Sequence, residues 1–310
     1  MTLKIQFLAH PKRWEEYRAP LPRALADAGL AADLACDHPP ETVDYIVYAP
    51  TQEPIDFTPY TRARAVLSLW AGVESIVTNS TLTQPLTRMV DQGLEDGMVE
   101  YVSAHVLRHH LGVRHRPDPK LSDWVFTPPP LARQRRVGIL GLGALGQACA
   151  RALVQIGFDV AGWSRTPKEI EHVTCLSGET GLADILARSE ILVLLLPLTP
   201  QTEDLMNAAT FAQMPRGAQI INAGRGALID DAALIAALHS GQIGAATLDV
   251  FRTEPLPPSH PFWREARITI TPHIAAQTRA DTASALIARN IRRDQAGEPL
   301  LYLVDRTAGY

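Results

Sequence analysis

Three residues far apart in this chain have types that together can steady a negative charge and move a proton. They are Arg225 in Asn-Ala-Gly-Arg-Gly, Glu254 in Asp-Val-Phe-Arg-Thr-Glu-Pro-Leu, and His273 in Thr-Pro-His-Ile-Ala-Ala-Gln-Thr. A guanidinium stays charged and offers a planar fork of donors that suits a carboxylate. An imidazole titrates near neutrality, so it can both give and take a proton. A carboxylate bonded to that imidazole fixes the ring and favours its charged form, which raises the histidine pKa. Upstream lies a glycine pattern, Gly141-Leu142-Gly143-Ala144-Leu145-Gly146. Beside a dinucleotide, a cation, an acid and an imidazole can pass a hydride and a proton to a carbonyl, which points to reduction of a 2-oxo acid.

The glycine pattern sits in the setting that a dinucleotide site requires. An apolar stretch at 137–140 precedes it and a helical stretch at 144–156 follows. Gly141 permits the tight turn, Gly143 lets a pyrophosphate approach the backbone, and Gly146 lets helix and strand pack closely. The helix N-terminus then offers N–H donors and the positive end of its dipole to phosphate. The next strand ends in Trp163-Ser164-Arg165-Thr166, with Lys168 two residues on. An NAD-preferring site usually carries an acid about 20 residues beyond the glycines, bonded to the ribose 2′-hydroxyl. Ser164 stands in that place. A carboxylate would repel a 2′-phosphate, whereas Ser164, Arg165, Thr166 and Lys168 can bind one through charge-assisted hydrogen bonds. NADP(H) is therefore the expected cofactor, with NAD(H) usable.

These loops need a frame. Apolar runs at 3–9, 43–49 and 65–70 read as strands, and 14–29 as an amphipathic helix closed by Gly29. Asp96-Gly97 reads as the cap of a helix over 98–110, followed by a proline- and charge-rich arm at 114–136. Further strands are expected at 137–140, 158–163, 191–196, 219–222, 246–250 and 268–271, with helices between most of them and a last helix at 279–296. Strands alternating with helices imply parallel pairing. The fold expected is α/β with two doubly wound parallel-sheet domains. A Rossmann cofactor domain would span 101–277, including the linker helix and arm. A flavodoxin-like substrate domain would be discontinuous, built from 1–100 and 278–310, with a cleft between the two.

At this point the chain resembles the D-isomer-specific 2-hydroxyacid dehydrogenase family, over nearly its whole length. The resemblance rests on the glycine pattern, on Leu196-Pro197-Leu-Thr-Pro-Gln-Thr202, on Asn222-Ala223-Gly224-Arg225-Gly226, on Leu248-Asp249-Val-Phe251, on Glu254-Pro-Leu and on Pro272-His273-Ile-Ala275-Ala. Trp70-Ala71-Gly72-Val73-Glu-Ser-Ile, Val99-Glu-Tyr-Val and the ending Val304 to Tyr310 are similar to its glyoxylate/hydroxypyruvate reductase A group. The resemblance implies that Arg225 grips the substrate carboxylate, that His273 donates the proton and that Glu254 orients it. It implies backbone N–H groups of 70–73 as a second carboxylate clamp. It also implies that Leu196, Pro197, Thr202, Ala223, Gly224, Asp249 and Ala275 lie against the cofactor, with Asp249 near the nicotinamide amide. Asp249 is expected to support the active-site hydrogen-bond network as well, with a strand-end structural aspartate as its alternative reading. Trp70, where a small residue is expected, either narrows the pocket or packs at the domain junction.

The remaining features bound the reading. With 310 residues and a 46% hydrophobic fraction, two domains with sizeable cores are expected. A net charge of -4 gives no sign of a nucleic-acid or membrane partner. Cys36, Cys149 and Cys175 form no CxxC pair, which fits a reducing cytoplasm. His105 and His109 share a helix face but complete no zinc motif, so no metal is expected. The resemblance implies a homodimer through the 98–110 helix and the arm. The activity expected is NADPH-dependent reduction of glyoxylate or hydroxypyruvate to glycolate or D-glycerate. The rival readings are an NAD-dependent D-2-hydroxyacid dehydrogenase of the phosphoglycerate type and a dinucleotide-sensing, corepressor-like binding protein.

Overall fold

The computed structural model describes residues 2–51, 53–113, 128–307 and 309. Its chain divides into two units, one made of Met1–Leu94 with Gln277–Tyr310 and the other of Glu95–Ala276. Residues 114–127, which hold most of the proline-rich arm, lie outside the described residues, as do Ala308 and Tyr310 of the ending.

In the first unit, β1 (Leu3–Leu8) is followed by α1 (Pro11–Tyr17), α2 (Pro20–Asp27), β2 (Ala32–Ala35), β3 (Tyr45–Tyr48), β4 (Ala65–Ser68), α3 (Glu74–Val77) and β5 (Leu86–Thr87). The single helix expected over 14–29 is two. Pro20 cannot continue a helix because it lacks the N–H and clashes with the preceding turn, so it starts a second one at N1. The five strands pair in the order β2-β1-β3-β4-β5, all parallel. This is the flavodoxin-like order. Every residue of β3 and β4 is buried, as expected of parallel strands covered on both faces.

Helix α4 (Gln92–Leu111) starts earlier than expected. Asp96 and Gly97 lie inside it, not at its cap, because the helix gains its stability from the buried stripe Met98, Val102 and Val106. The second unit then runs β6 (Arg136–Leu140), α5 (Ala144–Ile156), β7 (Asp159–Ser164), β8 (Thr174–Ser177), α6 (Gly178–Arg188), β9 (Ile191–Leu194), α7 (Ala208–Gln213), β10 (Ala218–Asn222), α8 (Asp231–Ser240), β11 (Ile243–Leu248) and β12 (Ile268–Ile270). Its seven parallel strands order as β12-β11-β10-β9-β6-β7-β8. Counted within the unit this is 3-2-1-4-5-6 with one strand added, the Rossmann order. The chain then returns to the first unit with α9 (Ala280–Gln295), whose Ala283, Ile287, Ala288 and Ile291 join the core formed with Leu21, Leu25 and Ile5. Two doubly wound parallel sheets, one of them in a discontinuous unit, are thus what the alternating pattern predicts. No helix among the described residues is long and apolar enough to cross a membrane.

Candidate active site

The register of the larger sheet decides which residues meet. Leu140 pairs with Trp163 and Leu194, Leu194 with Asn222, Asn222 with Leu248, and Leu248 with Ile270. The C-terminal ends of β6, β7, β9, β10, β11 and β12 therefore stand in one row. Each sequence-derived candidate of this unit lies at one of these ends or in the segment that follows it. In an open α/β sheet, the crevice at this edge, where the strand order reverses between β6 and β9, is the ligand site.

The glycine loop occupies the reversal point. Gly141 has φ 109° and its N–H donates to Trp163 O at 2.8 Å. A Cβ on Gly146 would lie 1.8 Å from Gly141 O, so only glycine lets α5 start this close to β6. Gly143 is the N-cap of α5 and supplies no side-chain cap, which leaves the first-turn amides for an anion. Leu142 is buried, with Ala144 and Leu145 in the first turn beside it. Ser164 closes β7 beside this loop, and its hydroxyl donates to Thr166 O at 2.7 Å. Arg165, Thr166 and Lys168 are exposed there.

After β9, Leu196 is buried, and Thr202 ties off the turn by donating to Pro197 O at 2.7 Å. After β10, the Asn222 side chain, buried completely, accepts from Gly224 N at 3.1 Å and donates to Arg225 O at 2.9 Å. This clasp fixes the backbone of Ala223, Gly224 and Arg225. Arg225 Nη1 donates to Gly224 O at 2.7 Å. A Cβ on Gly226 would stand 1.9 Å from the carbonyl carbon of Phe251, so the arginine loop rests directly on the loop after β11.

That loop carries Glu254. Its Oε1 accepts from Phe251 N at 2.9 Å, and its Oε2 lies 2.7 Å from His273 Nδ1. One carboxylate oxygen is thus spent on positioning and the other on the imidazole. His273 is half exposed and adopts φ 54°, a left-handed conformation that costs a non-glycine residue about 1–3 kcal/mol. Asp249 compensates. Its carboxylate, on a residue 1% exposed, accepts from Thr271 Oγ1 at 2.6 Å, from Ile274 N at 2.9 Å and from Ala275 N at 2.8 Å. The Thr271 hydroxyl also lies 2.7 Å from Tyr101 OH. Because its one proton goes to the carboxylate, the phenol donates. Burial holds that phenol above its ordinary pKa, so it keeps its proton. A string from α4 through Tyr101, Thr271 and Asp249 therefore pins the histidine loop from behind.

Asp249 is among the residues the sequence points to, whereas Asn222, Thr271 and Tyr101 stand in the quoted motifs with no task assigned to them, and only the sheet register reveals it. In the first unit, the loop after β4 holds Trp70, Ala71, Gly72 and Val73. Trp70 is exposed, its N–H donates to Ser68 Oγ at 3.0 Å, and its carbonyl accepts from Met89 N at 2.9 Å. Val73 is buried at the start of α3. On α4, the His109 ring meets Thr247 Oγ1 at 2.9 Å, and His110 packs edge-on against Phe158.

Comparison with known proteins shows what this chain is similar to. Residues 116–275 match the family described as D-isomer specific 2-hydroxyacid dehydrogenase, NAD binding domain. A glyoxylate/hydroxypyruvate reductase A from Yersinia enterocolitica is 39% identical over 279 residues, 87% of this chain and 88% of that protein. A D-isomer specific 2-hydroxyacid dehydrogenase from Xanthobacter autotrophicus Py2, solved with NADPH and MES, is 40% identical with TM-score 0.90, each chain covered in full. An NADPH-dependent glyoxylate/hydroxypyruvate reductase from Sinorhizobium meliloti, solved with NADP and sulfate, is 35% identical with TM-score 0.84, again covering both chains in full.

Proposed function

This chain belongs to the D-isomer specific 2-hydroxyacid dehydrogenase family of oxidoreductases, and on that footing we propose that it reduces short 2-oxo acids, glyoxylate and hydroxypyruvate, using NADPH. The products are glycolate and D-glycerate. The observation that carries this reading is the 2.7 Å pair of His273 Nδ1 and Glu254 Oε2, set on the same sheet edge as the glycine loop and Arg225.

The residues fit the cofactor at both ends. The uncapped first turn of α5 suits a pyrophosphate. Ser164, Arg165, Thr166 and Lys168 suit a 2′-phosphate, and no carboxylate stands at the end of β7 to repel it. When bound, NADPH supplies the hydride that reaches the carbonyl carbon.

The rest is the work of the chain. Arg225 pairs with the substrate carboxylate and draws negative charge toward the carbonyl oxygen. The loops of Arg225 and His273 leave strands two positions apart, roughly 10 Å at ordinary strand spacing, a span that a short oxo acid can bridge between two side chains. Glu254 holds Nδ1, so the imidazolium presents Nε2–H and gives that proton to the carbonyl oxygen. The imidazole left behind is reprotonated from solvent. Helix α4 is proposed as the contact of a homodimer, which sedimentation of the purified protein tests.

A panel of 2-oxo acids run with NADPH and NADH in parallel tests the reading. We expect NADPH oxidation on adding glyoxylate or hydroxypyruvate. A preference of about tenfold or more over NADH is expected, because one charge-assisted hydrogen bond contributes about 1.5–3 kcal/mol. Absence of turnover with every acid would overturn the proposal and favour a dinucleotide-sensing protein.

A further inference from the structure

One charged side chain at the sheet edge has no part in the chemistry above, yet it joins three of its loops. Arg252 lies between Phe251, whose N–H holds Glu254 Oε1, and Glu254 itself. Its Nη2 donates to Ile229 O at 2.9 Å, beyond the arginine loop after β10, and Nε reaches the same oxygen at 3.3 Å. Nη2 also pairs with the Asp204 carboxylate, and Nη1 lies 3.7 Å from Glu203 Oε1, both in the segment after β9. The loops after β9 and β10 are already joined by backbone: Asp204 N donates to Ala227 O and Met206 N to Leu228 O, each at 2.9 Å. The loop after β11 is held to that pair by the Arg252 side chain, and the backbone of Arg252 and Phe251 is pressed against Gly226.

We propose that Arg252 is a positioning residue: its guanidinium sets the 251–254 turn so that Glu254 meets His273, acting through Glu254 and touching neither substrate nor cofactor. The inference rests on the proposed reductase reading for its kinetic consequence and on geometry alone for its structural one. The fork matters, because it serves a carbonyl and a carboxylate at once. A lysine presents a point charge and cannot hold both in the same plane. Arg252 is partly exposed, and the pair with Asp204 alone would contribute little to stability. The consequence lies in placement, where a displacement of about 1 Å remote from the chemistry can cost on the order of 100-fold in rate.

The test uses the intact protein and the variants Arg252→Ala, Arg252→Lys, Glu254→Gln and the double variant Arg252→Ala/Glu254→Gln. Amide hydrogen exchange is read first and needs no turnover. Arg252→Ala should speed exchange in the 250–255 peptide while the strands of the sheet keep their protection. Kinetics are read second. Arg252→Ala should lower kcat for reduction by on the order of 10–100-fold with NADPH affinity retained, and Arg252→Lys should restore part of it. In the Glu254→Gln background the same substitution should cost almost nothing further. Unchanged exchange at 250–255 overturns the proposal whether or not the protein turns over. Faster exchange with an undiminished loss in the Glu254→Gln background also overturns it, by showing that Arg252 does not act through Glu254. If the native protein reduces no oxo acid, the functional reading fails by itself and the exchange result alone decides on the clasp.

Discussion

Replacing Asp249 by Asn tests how the histidine loop is held. The substitution keeps size and shape but changes one acceptor oxygen into a donor and removes the charge. The best orientation leaves the amide oxygen facing Thr271 Oγ1 and Ile274 N, which lie 2.6 and 2.9 Å from Oδ1 in the native side chain. Ala275 N, 2.8 Å from Oδ2, then faces an NH2 group in a site only 1% exposed. A buried donor left unpaired costs about 1–3 kcal/mol, and each of the two bonds retained loses roughly 1 kcal/mol of charge assistance. The sum is about 3–5 kcal/mol, enough to release the left-handed backbone at His273. For a unit spanning Glu95–Ala276, each kcal/mol lowers Tm by about 2–4 °C, so a fall of roughly 6–20 °C is expected if the loss is expressed in global unfolding. Local release of the loop would instead leave Tm less changed and lower kcat. Thr271→Val, which removes one bond to Asp249 and one to Tyr101, should cost about half as much. Thermal denaturation and steady-state reduction, measured together on both variants, give the readout. An Asp249→Asn protein with native Tm and native kcat would show that this carboxylate does not pin the loop.

Other expectations follow from particular residues. Ser164→Asp combined with Arg165→Ala should move relative kcat/KM toward NADH, because the new carboxylate repels a 2′-phosphate and accepts from a 2′-hydroxyl; unchanged relative efficiencies with the two cofactors would count against the assigned contact. Gly226→Ala should impair reduction severely, since its methyl would fall 1.9 Å from Phe251 backbone and push the Arg225 and Glu254 loops apart; native kcat in that variant would contradict the close packing. Burial pushes the His109 pKa down to about 3 from its ordinary value of 6.5, so the ring is neutral in the fold and takes up a proton on unfolding. Its contribution to stability is complete above pH 6.5 and is lost at about 1.4 kcal/mol per pH unit as pH falls toward 3. His109→Gln should flatten that acid limb in denaturant titrations, and an unaltered slope would show that His109 is not its source.

Much of this was legible in the chain. Continuous apolar runs such as Ile191–Leu194 mark strands buried on both faces, and the glycine pattern with its flanking strand and helix fixes where β6 ends and α5 begins. The short edge elements were not legible. β2 and β8 lie half exposed at sheet margins and β5 has two residues, so none carries an apolar run above the background. The helix expected over 14–29 failed at Pro20, where periodicity continues across a residue that resets the backbone. At the site, Arg225, Glu254 and His273 could be chosen by type and motif. Asn222, Thr271, Tyr101 and Arg252 stand in the quoted motifs, but their tasks were not legible there, because each side chain reaches across to another element and a sequence does not display which strands are neighbours.

His273 is the proposed proton donor, and single-turnover reduction of glyoxylate by NADPH in the native protein and in His273→Gln probes that role. General acid catalysis by a positioned side chain contributes about 10²–10⁴-fold, so the hydride step in the variant should slow by that order while NADPH still binds as tightly as before. A variant that reduces glyoxylate at the native rate, with cofactor affinity intact, would show that His273 is not the donor.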